Sequence, residues 1–205
     1  MEDRKGCGGA GRDAPLSSLL FLVGYRGSGK TTVARLLAAR LGWGWVDADD
    51  AIEARAGRSI RAIFAAEGEA GFRDREALAL AELCLLRQHV IATGGGVVLR
   101  EQNRALLRQR GRVVWLTADG DTLWQRLQGD ATTAGRRPAL AGGGRREVEE
   151  LLRVREPLYR ACTDVTVQTA GRTPEAVVDE VLAALQSLGT SVVGRSVEDS
   201  RHGDR

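Results

Sequence analysis

Short apolar runs alternate with longer amphipathic runs along the central part of the chain. The short runs are rich in β-branched and aromatic residues, as buried strands are, and the longer ones repeat apolar positions with helical spacing. Strands that alternate with helices form a parallel sheet, so we predict an α/β fold with three layers, α/β/α. The five predicted strands are residues 19–23, 43–46, 89–92, 112–116 and 164–168. The eight predicted helices are residues 30–41, 50–56, 59–66, 67–88, 101–109, 119–128, 145–161 and 173–187.

The ends of the chain lack this patterning. Residues 1–18 and 188–205 mix glycine with charged residues and show no apolar periodicity, so we predict two disordered tails around one domain, 19–187. At 205 residues with 43% hydrophobic content, the chain suits one α/β domain with a sizeable core.

Composition narrows the possible partners. The formal net charge of +3 is too small to indicate a nucleic-acid ligand. No run approaches the ~20 apolar residues of a membrane span, and the N-terminal segment lacks the apolar centre of a signal peptide. Cys7, Cys84 and Cys162 show no metal-ligand spacing and are expected to be reduced thiols. We therefore expect a cytoplasmic protein that binds neither nucleic acid nor membrane.

A glycine-rich segment, GYRGSGKT at residues 24–31, lies between the first predicted strand and the first predicted helix. Its glycines allow backbone N–H groups to close around an anion, and the helix N-terminus adds about half a positive charge. Lys30 would reach the β- and γ-phosphates, and the Thr31 hydroxyl would bind Mg²⁺. A preceding strand and a following helix are the context that a phosphate loop requires, so we predict binding of a nucleoside triphosphate.

Two carboxylates follow the second predicted strand. Asp47 and Asp49 are two residues apart, and alternation along an extended segment would place both on the same side of the chain. One carboxylate can then hold the metal or its water while the other accepts a hydrogen bond from an attacking hydroxyl. Acidic residues are also common at helix starts, so this interpretation depends on the pair.

Two arginines and a run of glycines are candidates for binding an acceptor molecule. The planar guanidinium of Arg73 suits a planar carboxylate, with Asp74 or Glu76 holding the neighbouring arginines. Arg155 adds a second basic group in a later helix. Taken singly, either arginine would fit an ordinary solvated helix face. Three consecutive glycines, residues 94–96, follow the third strand and would let the backbone approach a ligand closely.

A second glycine-rich segment, residues 129–144, contains Arg136 and Arg137 but neither a strand nor a convincing helix pattern. Long loops in compact domains are usually functional or disordered. We predict a mobile lid that folds over phosphates and excludes water; a solvated surface loop is the alternative.

Together these segments resemble the shikimate kinase family, P-loop kinases that phosphorylate the 3-hydroxyl of shikimate with ATP in aromatic amino-acid biosynthesis. The resemblance covers about residues 19–185, and its ordered set of motifs is more specific than the phosphate loop alone. The motifs are GYRGSGKT at 24–31, DAD at 47–49, GFRDRE at 71–76, TGGG at 93–96, RRP at 136–138 and REPLY at 155–159.

The resemblance implies a role for each candidate residue. It implies that Asp47 lies on the metal side with Thr31, and that Arg137 of the lid meets the phosphates. Lys30, Asp49 and Arg137 would be the catalytic residues of a direct, in-line transfer from MgATP. Shikimate would be held by Asp49, Arg73, Gly94, Gly95, Gly96 and Arg155. ATP would be held by Gly27, Ser28, Gly29, Lys30, Thr31, Thr32, Arg126, Arg137 and Arg172.

The chain departs from the family pattern in the lid, where Pro138 is followed by Ala139-Leu140 rather than by two leucines. Two other functions stay open from the residues alone. One is a different small-molecule P-loop kinase, acting on gluconate or a nucleoside monophosphate; the other is a degenerate relative that binds ATP without transferring phosphate. Intact Lys30, Thr31, Asp47 and Asp49 weigh against the second, and the fold favours a monomer.

Overall fold

The computed structural model describes residues 19–129 and 144–188. Residues 1–18 and 189–205 of the predicted tails and residues 130–143 of the predicted lid, including Arg136 and Arg137, lie outside the described residues. Within the described ranges the strands are β1 (Leu19–Val23), β2 (Gly44–Asp47), β3 (His89–Ala92), β4 (Arg112–Thr117) and β5 (Val165–Gln168). They pair in parallel in the order β2-β3-β1-β4-β5, which confirms the predicted five-stranded parallel sheet.

Helices connect the strands in the described part of the chain. The bounds are α1 (Lys30–Leu41), α2 (Ala48–Ala56), α3 (Ile60–Leu83), α4 (Glu101–Arg110), α5 (Gly120–Gly129), α6 (Gly144–Arg160) and α7 (Pro174–Ser187). A short 3₁₀ helix, Val97–Leu99, follows the glycine run and was not predicted. Thr173 caps α7 by accepting a hydrogen bond from Ala176 N–H at 3.3 Å, and Pro174 occupies its first position.

The region predicted as helices 59–66 and 67–88 is one helix, α3, with a break. Gly68 has φ 67°, a left-handed conformation that interrupts the helical backbone close to the predicted boundary. The second half ends at Leu83 rather than at residue 88. Cys84 closes the helix, and Gln88 also has a positive φ of 53°, which cannot continue an α-helix.

Both faces of the sheet are covered, as the three-layer prediction requires. Along β1, Leu20 and Leu22 pack with α1 and α7 on one face, whereas Leu19, Phe21 and Val23 pack with α3, α4 and α6 on the other. All five side chains are at most 3% exposed. This alternation anchors the strand whose C-terminal end leads into the phosphate loop.

Two smaller apolar clusters support the segments that carry the candidate residues. Ile52 of α2 packs with Ile60, Ile63 and Phe72 of α3 and fixes the helix that carries Arg73. The second cluster joins α5 to α6, the helices that precede and follow residues 130–143 in the sequence; its buried members are Tyr25, Ala118, Leu123 and Val148.

The described cysteines and helices can be compared with what the composition predicts. Cys84 and Cys162 are free and buried; burial raises the pKa of Cys84 to about 11 and also raises that of Cys162. Such thiols are largely protonated at neutral pH and react slowly. Across residues 19–129 and 144–188, no helix has both the length and the apolar character needed to cross a bilayer.

Candidate active site

The phosphate loop and the glycine run lie side by side at the carboxyl ends of β1 and β3. Thr93, which precedes the glycine run, holds that run against β1. Both its backbone N–H and its hydroxyl donate to Leu22 O, at 3.1 and 2.9 Å. A Cβ added to Gly95 would lie 3.3 Å from Gly24 O and 3.4 Å from Arg26 N. The loop predicted to bind phosphate and the turn predicted to approach an acceptor are therefore in direct contact, as ligand sites of open α/β sheets require.

Lys30 lies inside the phosphate loop rather than at its surface. Only 9% of the residue is exposed, and its Nζ donates to Gly24 O at 2.9 Å and to Tyr25 O at 2.8 Å. Gly24 has φ 144°, and a Cβ there would lie 2.3 Å from Leu116 O, so the loop needs glycine at this turn. The ammonium charge is thus held where backbone N–H groups and the N-terminus of α1 already favour an anion.

Thr31, Asp47 and Asp49 form a connected group beside this loop. The Thr31 hydroxyl donates to Asp47 Oδ2 at 2.7 Å, and Asp49 N–H donates to Asp47 Oδ1 at 2.9 Å. Burial raises the pKa of Asp47; the Thr31 hydrogen bond opposes this, and the charge of Asp49 adds to it. Asp49 is thus held next to the Asp47 carboxylate by its backbone N–H, and the predicted reason for the pairing is wrong. Asp47 is the N-cap of α2 and Asp49 lies in its first turn, so a helix cap brings them together and not strand alternation.

The oxygen atoms of Thr31 and Asp47 fit a hard divalent cation. Among the described residues, no group of three or more His, Cys, Asp or Glu side chains could form a metal cage by itself. Mg²⁺ usually takes one or two protein oxygens and completes its shell with substrate phosphates and water, so this sparse pair suits Mg²⁺ bound together with a nucleotide.

Arg73 is a buried, paired arginine on α3. It is 8% exposed, and its Nη1 donates to Glu76 Oε2 at 2.8 Å while Nε and Nη2 donate to Glu69 Oε1 at 3.2 and 3.0 Å. Burial lowers the pKa of Arg73, but the charges of Glu76 and Glu69 outweigh it and the net shift is upward. Of the two acids proposed to hold the arginines, Glu76 does so, whereas Asp74 pairs with Arg100.

The guanidinium of Arg73 lies directly over the glycine run. A Cβ added to Gly96 would lie 2.3 Å from Arg73 Nη1 and 2.5 Å from its Nη2. No larger residue fits this approach without displacing the guanidinium. Arg73 therefore shares one place in the fold with the turn predicted to contact the acceptor.

Arg155 reaches the same turn from α6. Its Cζ lies 5.6 Å from the centre of the Tyr25 ring, and its positive charge opposes the rise that burial causes in the pKa of the Tyr159 hydroxyl. That hydroxyl donates to Gly95 O at 2.5 Å. Arg153, in contrast, is exposed. The two arginines predicted to bind an acceptor thus approach adjacent glycines, Arg73 directly and Arg155 through Tyr159.

A cavity of about 260 Å³ opens on the other side of the phosphate loop. Arg126 donates from Nη1 to Gly27 O at 3.1 Å and from Nη2 to Thr169 O at 2.9 Å, which joins α5 to the loop. Arg172 is exposed and forms an ion pair with Glu180. Six of the nine candidate ATP residues line this cavity: Gly27, Ser28, Gly29, Thr32, Arg126 and Arg172. Lys30 and Thr31 are not in its lining, and Arg137 lies outside the described residues. The remaining lining residues are Val33, Thr169, Pro174 and Val177.

Sequence reasoning missed several residues of this site. Tyr159 lies within the motif at 155–159, but nothing local indicates that its hydroxyl reaches Gly95, 64 residues earlier. Asn103 was also missed; it is 2% exposed, and its Nδ2 donates to Val97 O at 3.0 Å, holding the chain just beyond the glycine run. A polar residue at a core position of a predicted helix is the signal that would have found Asn103.

A parallel sheet with a phosphate loop after β1, an acidic pair after β2 and a basic glycine turn after β3 defines a P-loop kinase of small molecules. The family model for shikimate kinase (SKI) matches residues 26–186. The chain belongs to the shikimate kinase family, which confirms the predicted fold and enzyme class.

Shikimate kinases of several bacteria are similar in sequence to most of this chain. A shikimate kinase of Rhodopirellula baltica is 52% identical over 172 residues, covering 83% of this chain and 92% of the relative. One of Chromohalobacter salexigens is 46% identical over 170 residues, covering 82% and 92%. Among solved structures, shikimate kinase from Acinetobacter baumannii in complex with shikimate is similar with a TM-score of 0.78 and 37% identity, covering 83% of this chain and 94% of that one.

Proposed function

We propose that this chain transfers the γ-phosphoryl group of ATP to the 3-hydroxyl of shikimate, giving shikimate 3-phosphate and ADP. One observation carries the proposal: the glycine run contacts the phosphate loop at Gly95 and the guanidinium of Arg73 at Gly96. Gly95 O also accepts a hydrogen bond from Tyr159, which lies one helical turn from Arg155. An acceptor bound at this turn would lie next to the terminal phosphate of a nucleotide bound at the loop.

Arg73, Arg155 and Asp49 would hold the acceptor. Two guanidinium groups near one turn suit a carboxylate, because charge-assisted and bidentate hydrogen bonds favour such pairs. Asp49, held beside Asp47 by the cap of α2, would accept hydrogen bonds from the hydroxyls. An acceptor without an anionic group would leave the two arginines without a ligand.

Lys30 would bind the phosphates directly, and Thr31 and Asp47 would bind them through Mg²⁺. Thr31 and Asp47 are the residues that would hold Mg²⁺, which when bound neutralises charge on the phosphate oxygens. Lys30 and Arg137 would stabilise the negative charge that spreads over the transferring group. The cavity beside Arg126 and Arg172 would take the nucleoside part of ATP.

The proposed chemistry is a single in-line displacement. The 3-hydroxyl oxygen bonds to the γ-phosphorus as the bond from that phosphorus to the β,γ-bridging oxygen breaks. Asp49 orients the hydroxyl and accepts its proton, and ADP leaves. Positioning and electrostatics supply most of the rate enhancement, since no covalent enzyme intermediate is formed.

Thr31→Val should raise the Mg²⁺ concentration that gives half-maximal activity by about tenfold. The variant keeps the shape of the side chain but removes the hydroxyl proposed as a metal ligand, a loss of about 1.4 kcal/mol. Activity is titrated with Mg²⁺ at saturating substrates. Thr31→Ser, which restores the hydroxyl, should return the midpoint close to that of the unmodified chain. Equal midpoints for all three proteins would remove Thr31 from the metal site.

An acceptor panel tests the function itself. ADP release is measured by a coupled assay with shikimate, gluconate and AMP in parallel, each with ATP and Mg²⁺. We expect acceptor-dependent release with shikimate alone. Release with gluconate or AMP would assign a different small-molecule kinase, and no acceptor-dependent release would assign a chain that only binds nucleotide.

We further propose that the enzyme works as a monomer in the cytoplasm. The free buried thiols Cys84 and Cys162 suit a reducing compartment. Light scattering coupled to gel filtration should give a mass near 22.0 kDa. A mass near twice this value would contradict the monomer.

A further inference from the structure

We propose that Tyr159 is a positioning residue of the acceptor site, whose hydroxyl fixes both the carbonyl of Gly95 and the guanidinium of Arg155. This inference rests on the proposed function, since it assigns how the site for the acceptor carboxylate is kept in shape. It extends that function to a residue that need not touch either substrate.

The Tyr159 side chain is held from two directions. The residue is fully buried, and its ring stacks on Trp115 of β4 with a centroid distance of 5.6 Å and an interplanar angle of 19°. At the far end, the hydroxyl donates to Gly95 O at 2.5 Å. The ring therefore fixes the position of the hydroxyl, and the hydroxyl fixes the position of the turn.

The hydroxyl has the capacity for both contacts. A phenol donates one hydrogen bond and accepts through its lone pairs. Burial raises the pKa of Tyr159, and the opposing influence of the Arg155 guanidinium, as a charge and as a hydrogen-bond donor, is smaller. The proton therefore stays on the oxygen at neutral pH. It is donated to Gly95 O, and the lone pairs of the oxygen stay open to a donor such as Arg155.

Helical spacing brings Arg155 to this hydroxyl. Residues 155 and 159 are one turn apart and share a face of α6. Pro157 lies between them without ending the helix, since Ala161 N–H still donates to Pro157 O at 3.0 Å. On its other side, Arg155 lies over the ring of Tyr25, a residue of the phosphate loop. Two buried tyrosines thus limit the positions open to the guanidinium.

The glycine turn needs such a contact at its centre. Thr93, the residue before the glycines, is hydrogen-bonded to β1, and Val97, the residue after them, is hydrogen-bonded to Asn103. Between these points the backbone has no side chains of its own with which to pack. The Tyr159 hydroxyl supplies a hydrogen bond at Gly95, the middle of the three glycines.

Tyr159→Phe removes the hydroxyl and keeps the ring. We expect the KM for shikimate to rise about tenfold, because Gly95 O loses its donor and Arg155 loses a contact that orients it. The KM for ATP should change by less than about twofold. A merely structural role would not divide the two constants in this way.

Thr163→Val is a matched control. The Thr163 hydroxyl donates to the backbone carbonyl oxygen of Tyr159 at 2.7 Å. This variant therefore removes one hydroxyl hydrogen bond at the same end of α6 but leaves the Tyr159 hydroxyl in place. Its KM for shikimate should equal that of the unmodified chain. Urea unfolding of both variants shows whether their losses of stability are similar.

The methyl ester of shikimate tests the route through Arg155. The ester lacks the charged carboxylate, so the ratio of KM values between Tyr159→Phe and the unmodified chain should be smaller for the ester than for shikimate. A second test places Tyr159→Phe in an Arg155→Met background, where we expect little further increase in KM.

The outcomes separate this inference from the proposed function. Failure of the unmodified chain to phosphorylate shikimate overturns both. An active unmodified chain whose KM for shikimate is unaffected by Tyr159→Phe overturns the role of Tyr159 alone. Equal increases in both KM values, or a Tyr159→Phe chain that does not fold, also overturn it, because either would make the hydroxyl a requirement of the core and not of the acceptor site.

Discussion

Replacing Lys30 with methionine should lower turnover by about 10²- to 10³-fold or more at saturating ATP and shikimate. The ammonium is held inside the phosphate loop by Gly24 O and Tyr25 O, where it would face the phosphates. Charge that develops on a transferring group in a water-poor site is stabilised most by groups that are already in place. Methionine keeps much of the volume and none of the charge.

The sequence offers a matched control for this variant. Lys5 and Lys30 are its only two lysines, and Lys5 lies outside the described residues. Lys5→Met makes the same chemical change outside the phosphate-loop motif of the sequence and should leave turnover unaltered. Initial rates are measured for both variants, with circular dichroism to check folding. A Lys30→Met chain that folds and keeps normal turnover would contradict the role of Lys30.

Removing the charge of Arg73 should raise the KM for shikimate by about 10- to 100-fold and leave that for ATP nearly unchanged. This range corresponds to hydrogen bonds between charged groups worth about 1.5–3 kcal/mol. A single substitution would confuse two effects, however. Glu76 is only 3% exposed and pairs with Arg73 at 2.8 Å, so Arg73→Ala would leave a buried carboxylate without this counter-charge, at a cost of about 3–5 kcal/mol.

The double variant Arg73→Met, Glu76→Gln removes both charges and avoids that penalty. The neighbouring pair provides the control, because Arg75 donates to Glu67 Oε2 at 2.8 Å but both side chains are partly exposed. Arg75→Met, Glu67→Gln should alter stability little and leave the KM for shikimate as it was. Steady-state kinetics of both double variants decide the matter. An unchanged KM for shikimate in the Arg73 pair would remove Arg73 from the acceptor site.

The order of elements could be predicted from the sequence because buried strands and amphipathic helices leave local patterns. Successive side chains from Leu19 to Val23 pack on opposite faces of the sheet. Thr173 followed by Pro174 marks the start of a helix. Such signals depend on neighbours in the chain. They were sufficient for the layers, the parallel sheet and the phosphate loop.

Local pattern was misleading where two interpretations share the same residues. Asp47 and Asp49 were expected to be paired by strand alternation, but the strand ends at Asp47 and a helix cap pairs them instead. Both arrangements place acids two residues apart, so spacing alone does not distinguish them. The helix cap corrects the reason given for the pairing, and the joint action of the two carboxylates stays a prediction.

Local sequence pattern does not predict which polar side chains are buried by tertiary packing, or what they contact there. The pair of Arg73 and Glu76 has the i,i+3 spacing of an ordinary surface ion pair, and only the packing of α3 against the glycine turn buries it. The hydrogen bond from Tyr159 to Gly95 O depends on how α6 crosses the end of β3. Tertiary packing decides these contacts.

A crystal structure with ADP and shikimate is the most direct test of the central claim, that one turn brings an anionic acceptor to the phosphate loop. The account predicts the shikimate carboxylate within hydrogen-bonding distance of Arg73 and Arg155, with the 3-hydroxyl near Asp49 and facing the position of the γ-phosphate. Shikimate bound elsewhere, or bound with its carboxylate turned away from both arginines, would contradict it.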